Sequence, residues 1–157
     1  MQPQLFTTQQ TELTSDDYYT PKWIFDALGL HFDLDVASPP HPTHVPCDRY
    51  LTQADDGLTA DWYGRVWMNP PFSRPAPWIH RWLDHGNGVC VIIISKSHAF
   101  QRLWRNPNVG VAYLCDQGSA GVKFVRDGIS NQMPYPVCIA AIGTDNIAAL
   151  HNIGHVR

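Results

Sequence analysis

The feature that most constrains the fold is an uninterrupted apolar run from Val89 to Ile94. A run of this length, bounded by Gly88 and Ser95, is typical of a strand that is buried on both faces of a parallel sheet. The chain after residue 64 alternates between strand-like and helix-like segments and then forms a hairpin-like pair. This alternation predicts an α/β domain with a mostly parallel sheet, to which the last apolar run, residues 136–142, adds an antiparallel closing strand.

The 157 residues are enough for one domain with a substantial core. Residues 1–17 are polar and aperiodic, which predicts a flexible arm, so we expect a single domain at residues 18–157. No run approaches the roughly 18–20 apolar residues of a membrane-spanning helix, and the amino terminus has no basic-then-apolar signal pattern. A cytosolic protein is therefore expected. The four dispersed cysteines and eight histidines show no ligand spacing and predict no metal site.

The charge of the chain is distributed unevenly. Its net value of −3 argues against sequence-independent coating of nucleic acid. Residues 1–61 carry ten acidic and two basic side chains, whereas residues 62–157 carry nine basic and four acidic ones. The first part suits a cationic or hydroxyl-rich ligand and the second suits phosphates, although counts this small also fit ordinary surface scatter.

The tetrapeptide Asn69-Pro70-Pro71-Phe72 follows a short strand-like run and precedes a helix-like one. The two prolines fix φ and remove two amide donors, so this tetrapeptide forms a proline corner that presents backbone carbonyl oxygens. Asn69 adds a side-chain acceptor. These groups predict a pocket for a planar molecule whose NH2 group bonds to two acceptors while its ring stacks on Phe72. Such bonding raises the lone-pair density on nitrogen and favours attack on a neighbouring electrophilic methyl group. The alternative is a proline-rich turn followed by a core phenylalanine.

Acidic residues precede this corner at two places. Asp35 ends a strand-like segment, residues 31–38, and the carboxyl ends of strands are where α/β sheets bind ligands, so it is predicted to accept from a ribose hydroxyl or an ammonium group. Asp55 and Asp56 lie in a turn from which a carboxylate could approach an adenine amine. The alternative for Asp35 is a turn-capping role before the proline-rich loop, and the alternative for Asp55 and Asp56 is a solvated Asp-Gly turn. Before Asp35, Thr20 and Pro21 predict the start of a helix.

Four motifs occur in a set order, namely Tyr19-Thr20-Pro21, residues 32–38, Asp55–Leu58 with Trp62, and residues 69–73. In this combination the chain resembles the phage-type DNA N6-adenine methyltransferase (Dam) family over roughly residues 18–143. The resemblance implies a class I methyltransferase domain, which is Rossmann-like, with S-adenosylmethionine as its cofactor. It also implies DNA as the substrate and the cytoplasm of a bacterial host, with a phage or prophage as the source.

The resemblance further implies roles for individual residues. The segment that matches the methionine end of the cofactor site contains Tyr19, Thr20 and Pro21. Asp35 and Ala37 match its first strand and loop, and Asp55 or Asp56 matches the acid near its adenine. The catalytic loop, which would hold a flipped adenine because a stacked, paired base cannot present its amine, contains Asn69, Pro70, Pro71 and Phe72. Candidate phosphate contacts are Arg74, Lys96, Arg102, Arg105, Lys123 and Arg126.

The chain departs from the family pattern in two ways. Ser38-Pro39-Pro40 stands where a Gly-rich loop is usual, and the 34 residues from Asp35 to Asn69 are compatible with the absence of one α/β unit. Methyltransferases of RNA adenine or protein glutamine share the tetrapeptide and form the first alternative. The second is a catalytically silent phage protein that keeps the fold as a binding module, which the missing Gly-rich loop favours.

Overall fold

The computed structural model describes residues 18–41, 43–114, 123–126, 129–132 and 135–157, so the predicted arm at residues 1–17 lies outside the described residues. The helices of this part are α1 (Lys22–Leu28), α2 (Ala76–His85), α3 (His98–Arg105) and α4 (Thr144–Leu150). Its strands are β1 (Phe32–Asp35), β2 (Cys47–Tyr50), β3 (Val66–Met68), β4 (Gly88–Ile93), β5 (Val109–Tyr113), β6 (Lys123–Arg126), β7 (Ile129–Gln132) and β8 (Val137–Ile142). None of the described helices is long and apolar enough to cross a membrane.

Six strands form one sheet in the order β2-β1-β3-β4-β8-β5. The neighbours β2, β1, β3 and β4 run parallel to one another, whereas β8 runs antiparallel to both β4 and β5. The remaining strands, β6 and β7, pair as a separate antiparallel hairpin. The predicted α/β domain with a mostly parallel sheet is therefore confirmed. Its antiparallel strand lies inside the sheet, between two parallel strands.

The stretch between Asp35 and Asn69 is short of regular structure. Its described residues contain β2, a 3-10 turn at Gln53–Asp55 and β3, and they form no α-helix. The parallel strands β1 and β2, which pair Phe32 with Cys47, are thus joined by a loop where a helix is usual. This arrangement agrees with the predicted shortage of one α/β unit.

The sheet is covered on both faces. Val89 and Val91 of β4 belong to one buried cluster, which includes residues of α1 and α4. Cys90 and Ile92, which point to the opposite face, belong to a second cluster with residues of α2 and α3. The apolar run of β4 therefore reflects burial on both sides, as its sequence predicts.

A polar cluster closes the edge of the sheet at which β3 begins. Asp33 Oδ2 accepts the Arg65 N–H at 2.7 Å, and Arg65 Nε donates to Asn146 Oδ1 at 2.6 Å. The buried Asn146 amide in turn donates to the Ile142 carbonyl and to Asn87 Oδ1, each at 2.8 Å. These bonds fix one edge of the domain, and the candidate site lies at the other.

Candidate active site at the carboxyl edge of the sheet

The chain reverses its direction of travel across the sheet between β1 and β3. From β1 it crosses to β2 on one side and then returns to β3 on the other side of β1. In open α/β sheets, ligands bind in the crevice beyond the carboxyl ends of the strands at such a switch point. A cavity of about 1020 Å³ opens at this place, and its lining includes Asp35 after β1 and Asn69 after β3.

The Asn69 side chain is held in a fixed orientation. Its Nδ2 donates to the Tyr18 carbonyl at 3.2 Å and to Thr20 Oγ1 at 3.4 Å. A backbone carbonyl can only accept, so the nitrogen must face Tyr18 and the oxygen Oδ1 must point elsewhere. No donor among the described residues is bonded to Oδ1, and Asn69 lines the cavity. The predicted side-chain acceptor is thus available to a ligand.

The other residues of the tetrapeptide divide between the cavity and the core. Pro71 lines the cavity, while Pro70 is buried and does not line it. Phe72 is 9% exposed and belongs to the apolar cluster under α1 and α4. The Phe72 ring therefore has a packing role in this structure, and its predicted stacking on a planar ligand stays a prediction.

The segment before α1 forms one wall of the cavity. Tyr18, Tyr19 and Thr20 line it, whereas Pro21 does not. Pro21 occupies the position that precedes α1, with φ −69° and ψ 150°, and no side chain caps this helix. The Thr20 hydroxyl, which local sequence would assign to capping, lies instead against Asn69.

Asp35 is a buried carboxylate at the cavity wall. Its side chain is 2% exposed, and Oδ1 accepts the Ala37 N–H at 3.2 Å. Burial raises the pKa of Asp35 from its usual 3.8 to about 7, and the hydrogen bond from Ala37 opposes this shift only in part. No donor among the described residues is bonded to Oδ2, so the carboxylate has one oxygen free for a ligand.

Asp55 and Asp56, the neighbouring acids of the predicted adenine pocket, make different contacts. Asp55 Oδ2 accepts from the Thr52 N–H at 2.8 Å and from the Thr52 hydroxyl at 3.1 Å, and these two bonds lower the pKa of Asp55. Asp56, at φ 52°, lines the cavity. Of the two positions that the sequence leaves open, the structure brings Asp56 to the cavity and uses Asp55 to cap the 3-10 turn.

Gly57 fixes this turn against the end of β1. A Cβ atom at Gly57 would overlap the Val36 carbonyl oxygen and would lie 2.8 Å from Cη2 of Trp78, so only glycine fits. The Gly57 carbonyl accepts from Trp62 Nε1 and from Arg81 Nη1, each at 2.7 Å. Arg81 also donates to the Ala60 carbonyl and stacks on Trp62, with its guanidinium carbon 4.5 Å from the ring centroid. These contacts hold the turn that carries Asp56 in a fixed position against α2.

Comparison with known proteins identifies the family. Residues 7–98 match the model of the family described as DNA N-6-adenine-methyltransferase (Dam). The chain is a member of the Dam family. A curated relative, the DNA N-6-adenine-methyltransferase of Haemophilus phage HP1, is 37% identical over 83 residues, which are 49% of this chain and 47% of the relative. The chain thus matches about half the length of this relative. No solved structure matches.

The region matched to the Dam family contains all the described residues that line the cavity. The match ends at His98, the first residue of α3, and the cavity-lining residues lie between Tyr18 and Trp78. The described residues from α3 onward, which include the helices α3 and α4 and complete the sheet, do not line the cavity.

Several residues that line the cavity of this Dam-family member could not be identified from the sequence alone. His41, His44 and Val45 line the cavity from the loop between β1 and β2, and Trp78 lines it from α2. The sequence indicates this loop only through its position, because it directly follows the strand that ends in Asp35. The sequence signal for Trp78 and Arg81 is weaker, because both depend on a distant partner. Trp78 lies beside Gly57, which is 21 positions earlier, and Arg81 donates to the Gly57 carbonyl, which is 24 positions earlier.

The basic candidates for DNA contact are dispersed. Arg74 is exposed at the cavity wall, and Lys96 and Arg105 are exposed beside a second, mainly apolar groove near α3. Arg102 bonds to Asp84 Oδ1 at 2.7 Å and to His80 Nδ1 at 3.0 Å. Lys123 and Arg126 lie in β6, but their side chains lie outside the described part. Among the described residues, no group of His, Cys, Asp or Glu side chains could hold a metal ion.

Proposed function

We propose that this protein transfers a methyl group from S-adenosylmethionine to the exocyclic amine of an adenine in DNA. Membership of the Dam family supports the reaction, and so does the name of the phage relative. The observation that carries the proposal is the fixed amide of Asn69 at the wall of a large cavity, because its oxygen has no donor among the described residues.

The proline corner suits an exocyclic amine. Asn69 Oδ1 accepts one amine hydrogen, and a backbone carbonyl of the corner accepts the other. The Pro71 carbonyl already accepts the Arg74 N–H at 3.2 Å and keeps one lone pair. Two acceptors draw the hydrogens away from the nitrogen lone pair, so the nitrogen becomes more nucleophilic. The tetrapeptide acts by orientation and electrostatics, with no covalent intermediate on the protein.

The cavity has the size and the polar groups for S-adenosylmethionine. Its volume of about 1020 Å³ lies at the upper end of small-molecule sites, so it has room for the cofactor and a base. The cofactor would supply an electrophilic methyl group. Asp35, buried with one free oxygen, would accept from its ribose hydroxyls or ammonium group, and Asp56 would accept from its adenine end. The other proposed walls of this site are Tyr19, Thr20 and Ala37.

The remaining predicted cofactor contacts have other bonds. Asp55 is engaged with Thr52, and Pro21 does not line the cavity, so in our proposal both support the site from outside. The Ala37 and Ser38 N–H groups bond to Asp35 Oδ1 and to the Leu51 carbonyl. The loop that replaces the usual Gly-rich loop would therefore contribute its surface, and not these two amides, to the cofactor.

The target adenine would reach the corner by leaving the duplex. A paired base presents its amine to its partner, so an enzyme of this kind must extrude the base into its cavity. The exposed Arg74 stands at the cavity wall, where its charge suits the phosphates that flank an extruded base. The site of action in this proposal is the cytoplasm of a bacterium that carries the phage or prophage.

Labelled-methyl incorporation tests the proposal. Unmethylated DNA, RNA and a glutamine-containing protein mixture are incubated with the protein and labelled S-adenosylmethionine, and the DNA products are digested to nucleosides. We expect label in N6-methyladenine of DNA alone, its loss in Asn69→Ala, and cofactor binding by calorimetry within about threefold of wild type in that variant. Label in RNA or protein would favour the corresponding acceptor. An absence of cofactor binding by the wild-type chain would favour the silent binding module.

A further inference from the structure

The segment Tyr18–Thr20 does more than form a wall of the cavity. Its Tyr18 carbonyl and its Thr20 hydroxyl are the two bonded partners of Asn69 Nδ2, at 3.2 and 3.4 Å. These partners precede Asn69 by 51 and 49 positions, so the contact joins the start of the domain to the corner after β3. Both residues are buried, Tyr18 at 8% exposure and Thr20 at 5%, so water does not readily replace these bonds.

The two acceptors determine which atom of residue 69 remains available. An amide has one donor nitrogen and one acceptor oxygen, and the nitrogen here is occupied by the segment. Rotating the amide by half a turn would direct Oδ1 at the Tyr18 carbonyl, and two acceptors in contact repel each other. The carbonyl alone therefore excludes the reversed orientation, and the hydroxyl of Thr20 adds a second point of contact.

We infer that the segment Tyr18–Thr20 positions Asn69, with Thr20 as a positioning residue, so that Oδ1 is presented to the amine of the substrate. This inference rests on the proposed function for its catalytic consequence, but the orientation of Asn69 can be measured without it. It assigns the Thr20 hydroxyl to Asn69, while the shape of the side chain still forms part of the wall of the cofactor site. The hydroxyl is free for this role because no side chain caps α1.

The same geometry specifies an amide at position 69. An aspartate has nearly the shape of asparagine but carries no donor when ionised, so it would set a carboxylate oxygen against the Tyr18 carbonyl. The carboxylate must then turn away or take up a proton. A displacement of about 1 Å in a catalytic group can cost about a hundredfold in rate, so we expect at least that loss in kcat for Asn69→Asp.

Substitutions at Thr20 separate positioning from cofactor contact. Thr20→Val keeps the branched shape in its buried site and removes the acceptor, whereas Thr20→Ser keeps the hydroxyl. For a neutral hydrogen bond, we expect Thr20→Val to lower kcat for methyl transfer about fivefold, with the dissociation constant of S-adenosylmethionine within about twofold of wild type. Thr20→Ser should recover most of the loss. Thr144→Val is the matched control, because Thr144 is exposed at the start of α4 and does not line the cavity.

Nuclear magnetic resonance of the 15N-labelled chain gives a readout that does not depend on activity. The Asn69 side-chain NH2 signals, identified by their loss in Asn69→Ala, should exchange slowly with solvent in wild type and in Thr20→Ser. They should exchange about fivefold faster in Thr20→Val. Equal exchange in wild type and Thr20→Val would overturn the inference, as would a weakened cofactor affinity with unchanged kcat. A wild-type chain that binds cofactor but methylates no DNA would refute the proposed function, and the exchange comparison would still decide the orientation of Asn69.

Discussion

Gly57 lies against the Val36 carbonyl oxygen so closely that a Cβ atom would overlap it. This contact joins the Asp56 turn to the end of β1, the two walls of the cavity that carry its acidic residues. We expect Gly57→Ala to separate these walls and to lower the free energy of unfolding by about 1–3 kcal/mol, as in overpacked cores. Chemical denaturation and cofactor calorimetry would measure both effects. Gly154→Ala is the control, because its Cβ would lie 3.9 Å from the nearest atom, the Tyr113 carbonyl oxygen. Wild-type affinity in Gly57→Ala would contradict the role of this contact.

Asp35 should make the free protein less stable as the pH rises. Its pKa is about 7 in the folded chain, against a usual value of 3.8, so folding favours the protonated form. The contribution of Asp35 to the free energy of unfolding is fully present below pH 3.8 and is lost as the pH rises through 7. This contribution is on the order of 4 kcal/mol for a buried group. Asp35→Asn should remove this dependence.

Urea denaturation at pH 5 and at pH 8 would measure the effect of Asp35. We expect Asp35→Asn to be more stable than wild type at pH 8 and to bind S-adenosylmethionine at least about tenfold more weakly, as the loss of a hydrogen bond to a charged group implies. Asp61→Asn, at an exposed position, is the control. A variant with unchanged affinity would show that Asp35 does not contact the cofactor.

The two possible roles of Phe72 can be separated by keeping most of its volume while removing its flat ring. Phe72→Ala would leave a hole in the apolar cluster and cost about 3–5 kcal/mol of folding stability, which would obscure any effect on the base. Phe72→Leu leaves a smaller hole and should cost less than Phe72→Ala. If the ring stacks on adenine, this variant should raise KM for DNA severalfold while the cofactor affinity stays unchanged. A KM equal to that of wild type would leave Phe72 with packing alone.

Cys47 should be dispensable for methyl transfer. Burial, together with the nearby charge of Asp35, raises the pKa of its thiol to about 11, so almost none of it is thiolate at neutral pH. We expect Cys47→Ser to retain kcat within about twofold, and iodoacetamide to alkylate this thiol slowly at pH 7. Trapping of a covalent adduct at Cys47 during turnover would contradict the proposed direct transfer.

Local patterns anticipated the parts of this domain that depend on neighbours in sequence. The apolar run of β4 reports burial on both faces, and the alternation of strand-like and helix-like segments after residue 64 corresponds to β3, α2, β4, α3 and β5. The sequence also placed Asn69 and Asp35 at the carboxyl ends of their strands, which brought them to one cavity. In each case the determining interaction acts within a few residues or through burial.

Contacts between distant parts of the chain were not foreseeable. Thr20 has the local pattern of a helix cap, yet its hydroxyl bonds to Asn69, which is 49 positions away. The choice between Asp55 and Asp56 depends on Thr52, whose bonds to Asp55 fix the turn. The sequence left Phe72 between stacking on a ligand and packing in the core, and its burial depends on α1 and α4, which lie near opposite ends of the described chain. Such partners become neighbours only when the sheet is assembled.

The interior position of β8 has a consequence for how the domain forms during synthesis. β4 and β5 have no pairing with each other, because β8 lies between them and bonds to both. The sheet stays split until residues 137–142 have left the ribosome, although the described residues that line the cavity all precede residue 79. Until then, the part of the sheet that carries the candidate site has an unpaired strand edge at β4, which only this later segment of the chain covers.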